Sequence, residues 1–327
     1  MLTPHDLGII LSYRCLTRCK HCLYACGPEW KEWFDPAELR EAVATTRAWT
    51  HEFQVHLTGG EPFLNVPLLE EAVTILAEAK IPQYVETNAF WCTDEAMVRE
   101  RLTRLRDRGL GGILISCSPF QCEKIPLSRV LLCTTVSSAV FGRGSVILYL
   151  PQWANIIAQF GTDRPVPLQA YLKKYGTEKG AELLWNGYEM IGGGRSSYQL
   201  GHLMKRYPAA AFSRENCQYE LLFPHHSHFD LYGNHISWFC GGLTIGRWRD
   251  LPETIRNFEQ GQFSYIIRTL VTGGPHALFE FASNAYGYRE TSGGYTSKCH
   301  LCVDVRKHLV SRDQFPELQP RQFYSSL

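Results

Sequence analysis

The feature that most constrains this chain is the alternation, over its first two-thirds, of short apolar runs with longer amphipathic ones. Residues 7–13, 53–57, 84–87, 112–116, 146–150 and 187–191 read as strands. Helical patterns lie between them. One opens at Asp35-Pro36, where Asp supplies the N-cap and Pro the first helical position. Others cover 68–79, 94–108, 125–141 and a stretch near 167–186, with Gly109 and Gly142 as stops. Strand–helix alternation implies a parallel sheet with right-handed crossovers. Six such units predict an α/β protein built on an open, partial (β/α)6 TIM-like barrel, with its functional groups at the carboxyl ends of the strands. After about residue 210 the alternation ends, and aromatics, histidines, glycines and late cysteines follow. A barrel over 1–208 and a smaller C-terminal domain over 209–327 are therefore expected.

Composition excludes some partners. Apolar residues make up 45% and charged residues 20%, as in ordinary globular proteins. A formal net charge of +1 leaves no basic surplus for a phosphate backbone, so a nucleic-acid partner is not expected. No run reaches ~18 apolar residues, and the N-terminus lacks the basic and apolar segments of a signal peptide. No membrane partner and a cytoplasmic location are the expectation. In a reducing compartment, twelve cysteines point to metal or redox chemistry before disulfides.

Three of them, Cys15, Cys19 and Cys22, are spaced i, i+4, i+7. Thiolates are soft donors suited to iron–sulfur clusters or zinc. Three ligands on a four-iron cubane leave one iron open to a small chelating molecule. A zinc site is the rival reading. A buried helical stripe is another, although Arg14, Arg18, Lys20 and His21 flank the cysteines too closely for a good core face. Downstream, the second strand ends in Thr58-Gly59-Gly60-Glu61-Pro62, where paired glycines admit close approach of a ligand to backbone. Asn88 ends the third strand and Ser116-Cys117-Ser118-Pro119 the fourth. Ile191-Gly192-Gly193-Gly194-Arg195 closes the sixth.

The cysteine loop together with the Gly-Gly-Glu segment resembles the radical S-adenosylmethionine superfamily. The resemblance implies that Cys15, Cys19 and Cys22 hold a [4Fe-4S] cluster whose open iron chelates S-adenosylmethionine. Reductive cleavage would then yield a 5′-deoxyadenosyl radical. It further implies cofactor contacts from His21, Gly59, Gly60, Glu61, Pro62, Asn88, Ser116, Gly193 and Arg195. Glu61 would accept from the methionine ammonium, and Arg195 would reach a carboxylate. Ser118 and Pro119 depart from the Asp-Gly usual at the fourth strand.

Cys217, Cys240, Cys299 and Cys302 resemble the ligand set of a twitch- or SPASM-like auxiliary cluster domain, with the Gly233-to-Cys240 gap longer than usual. Four ligands would close a second [4Fe-4S] cluster, with zinc as the rival. The auxiliary cluster suggests net oxidation, either dehydrogenation or cross-linking, of a small-molecule or peptide substrate, with a flavodoxin- or ferredoxin-type electron donor. With only a short segment before Cys15, an N-terminal peptide-recognition domain is not expected, which favours a small molecule or a peptide captured some other way. Epimerisation, with Cys117 or Cys122 as hydrogen donor, is the redox-neutral alternative. A non-catalytic zinc- or cluster-binding module is the alternative outside enzymes. His225, His226, His228 and His235 read as residues of a hairpin in the second domain, and Cys26, Cys92 and Cys133 as spare thiols, Cys133 in the core.

Overall fold

The computed structural model describes residues 5–50, 52–223 and 226–327. Five strand–helix units run in order: β1 (Asp6–Ile10), α1 (Pro36–Trp49), β2 (Gln54–Thr58), α2 (Val66–Glu78), β3 (Gln83–Thr87), α3 (Glu95–Asp107), β4 (Gly112–Ser116), α4 (Leu127–Phe141), β5 (Val146–Tyr149) and α5 (Gln152–Ala158). All neighbouring pairs among these strands are parallel. Helix ends follow local chemistry. The Asp35 carboxylate accepts from the amides of Ala37 (2.8 Å) and Glu38 (3.3 Å), with Pro36 in the first turn. Asp94 caps α3 through the Met97 amide.

Two expectations need correction beyond β5. The stretch near 167–186 is two helices, α6 (Leu168–Tyr175) and α7 (Thr177–Trp185), parted by Gly176 at φ 83°. Residues 187–191 form no strand. Among the described residues β5 is the end strand of the sheet, and its Ile147 and Tyr149 side chains are exposed. The chain turns back instead beneath the first cysteine loop, where the Arg195 amide donates to the Cys22 carbonyl at 3.0 Å. The short helices α8 (Ser196–Gln199) and α9 (Gln218–Leu222) follow.

The sixth parallel strand comes from later in the chain. β6 (His226–Asp230) pairs parallel with β1, so the sheet runs β5-β4-β3-β2-β1-β6-β7-β8, with β7 (Asn234–Ser237) and β8 (Gly246–Arg247) antiparallel. The sheet thus continues past residue 208, and His226 and His228 lie on a sheet strand beside β1. His235 is on β7, and His225 lies outside the described residues. Asp230 fastens this hairpin. It accepts from Tyr13 Oη (2.8 Å), from the amides of Tyr232 and Asn234, and from Asn234 Nδ2. Tyr13 in turn stacks on Trp30, with centroids 4.6 Å apart, and both are fully buried.

Helices α10 (Leu251–Glu259), α11 (Tyr265–Tyr286), α12 (Lys298–Leu309) and α13 (Gln322–Ser325) complete a C-terminal helical region. α11 breaks at Gly274-Pro275, where Gly274 takes φ 69°. A Cβ there would lie 1.9 Å from the Glu215 carbonyl oxygen, so only glycine lets the 215–217 segment approach. Proline supplies no amide, and at this break the Leu270 carbonyl accepts from the Cys217 amide at 3.0 Å. No described helix is long and apolar enough to cross a membrane.

Candidate functional site: two thiol-lined cavities

A cavity of about 580 Å³ opens at the carboxyl ends of the parallel strands. Successive strands contribute His56 and Thr58, Glu86, Ser116 and Tyr149, so their lumen-facing side chains line one concave wall. The loop after β1 supplies Cys15, Cys19 and Cys22. Thr17 sits between the first two, its Oγ1 3.1 Å from Cys15 Sγ and 3.2 Å from Cys19 Sγ. Asn88 Nδ2 reaches Cys15 Sγ at 3.7 Å. Cys26 also borders the cavity, and its amide donates to Cys22 Sγ at 3.4 Å. Burial pushes Cys15 up to about 11 and raises Cys19 further. A metal binding here must displace their protons.

The loop is held from behind. Arg195 is buried, and its guanidinium donates to the Cys19 carbonyl (3.1 Å) and to the Cys26 carbonyl. Gly194, at φ 57°, lies where a Cβ would meet the Cys22 carbonyl oxygen at 2.4 Å. Neither Arg195 nor Gly193 borders this cavity. Gly193 lines the second one, so the expected reach of Arg195 to a cofactor carboxylate is replaced by a grip on the cysteine loop.

Glu61 also differs from expectation. Its carboxylate is buried and accepts from Thr87 Oγ1 (2.9 Å) and the amides of Asn88 (2.7 Å) and Phe63 (3.2 Å). It ties the ends of β2 and β3 together, and neither it nor Pro62, which starts a 3₁₀ turn, faces the cavity. Burial pushes Glu61 up to about 7 against the pull of its hydrogen bonds. Gly59 and Gly60 do line the cavity. Their backbone presses on the loop after β1, with the Gly60 amide 2.7 Å from the Ser12 carbonyl. A Gly60 Cβ would lie 1.9 Å from the Arg14 oxygen.

His21, Asn88 and Ser116 all face the cavity. His21 stacks on Phe120 (4.7 Å) and meets Tyr188 edge-on (5.0 Å), with Nε2 3.1 Å from the Tyr188 hydroxyl. Burial, and then the Arg195 charge, pull His21 down to about 3, which leaves a neutral ring. Phe120, Gln121 and Tyr188 escape a sequence reading. Gln121 Nε2 donates to the Asn88 carbonyl at 2.5 Å, and only the loop after β4 brings it there. Cys117 and Cys122 are fully buried outside the cavity lining, and burial pushes both up to about 12.

The second cavity, about 210 Å³, is bordered by all four late cysteines: Cys217, Cys240, Cys299 and Cys302. Cys299 and Cys302 lie in the first turns of α12, where the helix dipole favours anions. Two cations stand by. Lys298 pairs with Glu220 at 2.8 Å, and buried Arg306 donates to the Gly241 carbonyl at 3.1 Å and to Tyr324 Oη at 3.0 Å. Ile191, Trp238 and Phe239 border both cavities. Gly241 brings the Cys240 loop against the first loop, since a Cβ would lie 2.5 Å from the Leu23 carbonyl oxygen. All twelve cysteines are free thiols.

Residues 9–118, from β1 through β4, match the model of the Radical SAM superfamily, and the chain carries that domain. GTP 3′,8-cyclases from two strains of Corynebacterium glutamicum are each 27% identical over 128 residues, which is 38% of this chain. The matched segment covers 34% of those relatives. Among solved structures, BtrN in complex with AdoMet and 2-DOIA aligns at TM-score 0.47 and 13% identity, over 83% of this chain and 89% of that one. Native anSMEcpe with AdoMet and the Cp18Cys peptide aligns at TM-score 0.46 and 13% identity, over 99% and 95%. A [4Fe-4S] cluster and S-adenosylmethionine are the cofactors of the domain, and the donor chemistry of the three-thiol loop fits the cluster.

Proposed function

We propose that this chain is a radical S-adenosylmethionine oxidoreductase that removes a hydrogen atom from a small molecule or peptide and delivers the remaining electron to an auxiliary cluster. The observation that carries this reading is the pair of thiol-lined cavities sharing one wall of Ile191, Trp238 and Phe239. With cluster and S-adenosylmethionine bound, the chemistry supplied is one-electron cleavage to a 5′-deoxyadenosyl radical. Cys15, Cys19 and Cys22 would be its ligands. The backbone of Gly59 and Gly60 would contact the methionine end, and the neutral His21 ring, backed by Phe120 and flanked by Tyr188, would pack on the adenine. Asn88 and Ser116 would fix the sugar side. The cavity of about 580 Å³ that would hold these groups lies within the usual range for small-molecule sites.

Cys217, Cys240, Cys299 and Cys302 would hold the second cluster, which supplies a closed electron acceptor. Four thiolates on a single zinc ion sit about 3.8 Å apart and leave no void between them. The four thiols border a space of about 210 Å³, so metal analysis is what separates a cubane from zinc. Lys298 and Arg306 would offset part of the added negative charge. The burial of Cys117 and Cys122 away from the cavity removes support for epimerisation by those thiols.

Iron and sulfide analysis of the anaerobically purified chain tests this directly. About eight irons per chain are expected, and about four, with zinc making up the rest, would refute the auxiliary cluster. S-adenosylmethionine and dithionite should yield 5′-deoxyadenosine. None at full iron loading would return the chain to a non-catalytic binding module.

A further inference from the structure

The same lumen holds a second set of ligand-type side chains that the cysteine chemistry leaves unused. His56 on β2, Gly8 on β1 and His228 on β6 stand at one register across three parallel strands. His226 and Asp6 face each other across the β1–β6 pair, two residues before His228 and Gly8. Side chains two apart on a strand share a face, so all of these groups meet on one side of the sheet. One ring nitrogen from each of His56, His226 and His228 lies within 4.8 Å of the others. Gly8 makes the convergence possible. A Cβ there would lie 2.1 Å from His228 Cδ2 and 2.6 Å from the Nε2 atoms of both His228 and His56. Any other residue at position 8 would fill the notch into which the two rings lean.

The remaining hydrogen bonds aim the rings. Asp6 accepts from His56 Nδ1 at 3.2 Å and from His226 Nδ1 at 2.9 Å. Nε2 is therefore the free nitrogen on both. That of His56 is buried and has no hydrogen-bond partner; Glu86 Oε1 stands 3.9 Å away. The Tyr24 hydroxyl lies 3.0 Å from His228 Nδ1 and 3.3 Å from its Nε2. A carboxylate on the far nitrogen of an imidazole is the usual outer support of a metal-binding histidine, because it fixes the tautomer and raises the basicity of the ligand atom.

We infer that His56, His226 and His228 form a divalent-metal site of the zinc type, with Asp6 as the positioning residue for two of them. Imidazole donors suit zinc and neighbouring transition metals. Nitrogens bound to zinc at about 2.0–2.1 Å lie about 3.4 Å apart, so the rings need close by little more than 1 Å. Three protein ligands leave a fourth position, as in catalytic and not structural zinc sites. All three histidines border the cavity that also contains the cysteine triad. The fourth position is thus available to water or to an oxygen donor entering that cavity. The metal site stands independently of the proposed oxidation.

The test uses the full chain with its iron–sulfur content intact, given one equivalent of zinc chloride anaerobically and then desalted. One zinc per chain should remain with iron unchanged. The zinc X-ray absorption should show nitrogen or oxygen neighbours at about 2.0–2.1 Å and no sulfur at about 2.3 Å. His56→Gln and His228→Gln should abolish retention. Should those buried variants fail to fold, the half-buried His226→Ala keeps the test open. Asp6→Asn should weaken binding at least about tenfold, with iron content reporting an intact fold. No retained zinc, a sulfur shell that marks zinc at the cysteines, or undiminished zinc in His226→Ala and Asp6→Asn would each overturn the site. Any of these can occur with 5′-deoxyadenosine formation intact, so failure here is distinct from failure of the radical chemistry.

Discussion

The two thiol-lined cavities are built by opposite strategies. The first draws Cys15, Cys19 and Cys22 from eight consecutive residues on one loop, with Thr17 bridging two of them and Arg195 gripping the loop backbone. The second gathers Cys217, Cys240 and the Cys299–Cys302 pair from three segments, and needs the break in α11 to seat Cys217. Their electrostatics differ as well. Arg195 sits behind the first loop and outside that cavity's lining, whereas Lys298 and Arg306 border the second cavity itself. A site of three thiols leaves coordination for a small molecule. A site of four, braced by cations, suits an electron store. The shared Trp238–Phe239 wall keeps the two apart while holding them adjacent.

The sharpest way to break this contrast is to remove one thiol from each site. Cys19→Ala should bring 5′-deoxyadenosine to background and about halve the iron, from about eight to about four per chain. Cys299→Ala should also lose about half the iron, yet retain 5′-deoxyadenosine formation while product formation fails. The measurement is iron content and deoxyadenosine, by chromatography, on matched anaerobic samples. Equal loss of deoxyadenosine in two folded variants would erase the division of labour.

This difference in construction also explains what could be read from the chain alone. Local signals were legible: the spacing of Cys15, Cys19 and Cys22, the Asp35-Pro36 helix start, and the glycines at 59 and 60 that face the cavity as expected. The Glu61 side chain was misjudged because its partners, Thr87 and the Asn88 amide, lie on another strand and only the fold brings them near. The sixth strand was misplaced for the same reason. An apolar run at 187–191 looks like a strand by pattern, but the parallel partner of β1 comes from 226–230, a segment rich in histidine. Those histidines read as part of a hairpin in a second domain; they do stand on the β6 strand of one, but it joins the main sheet beside β1, where Gly8 makes room for His228.

Smaller effects sharpen the contrast by isolating support from ligation. Glu61 is protonated in the folded chain up to about pH 7, whereas an unfolded glutamate ionises near its ordinary 4.5. Its raised value contributes stability that is complete below about pH 4.5 and lost as pH rises through about 7. The contribution is roughly 3 kcal/mol at most. Glu61→Gln should flatten the pH dependence of denaturant midpoints between those limits. An unchanged slope would mean that another group sets it.

The smallest expected change comes from Lys298→Met. Its ammonium pairs with Glu220 at 2.8 Å and borders the second cavity, with the side chain about a quarter exposed (23%). The pair is partly solvated, so its loss should cost no more than about 1 kcal/mol of stability. Removing a positive charge beside four thiolates disfavours the reduced, more negative state of whatever they hold. The midpoint potential of the proposed auxiliary cluster should therefore fall, by an amount on the order of tens of millivolts. The signal of the first site, shielded by the Trp238–Phe239 wall and held by a different cation, should move much less. A redox titration followed by electron paramagnetic resonance separates the two. An equal shift at both sites would show that they share one electrostatic environment, and the contrast between an open initiating site and a closed electron store would then rest on ligand count alone.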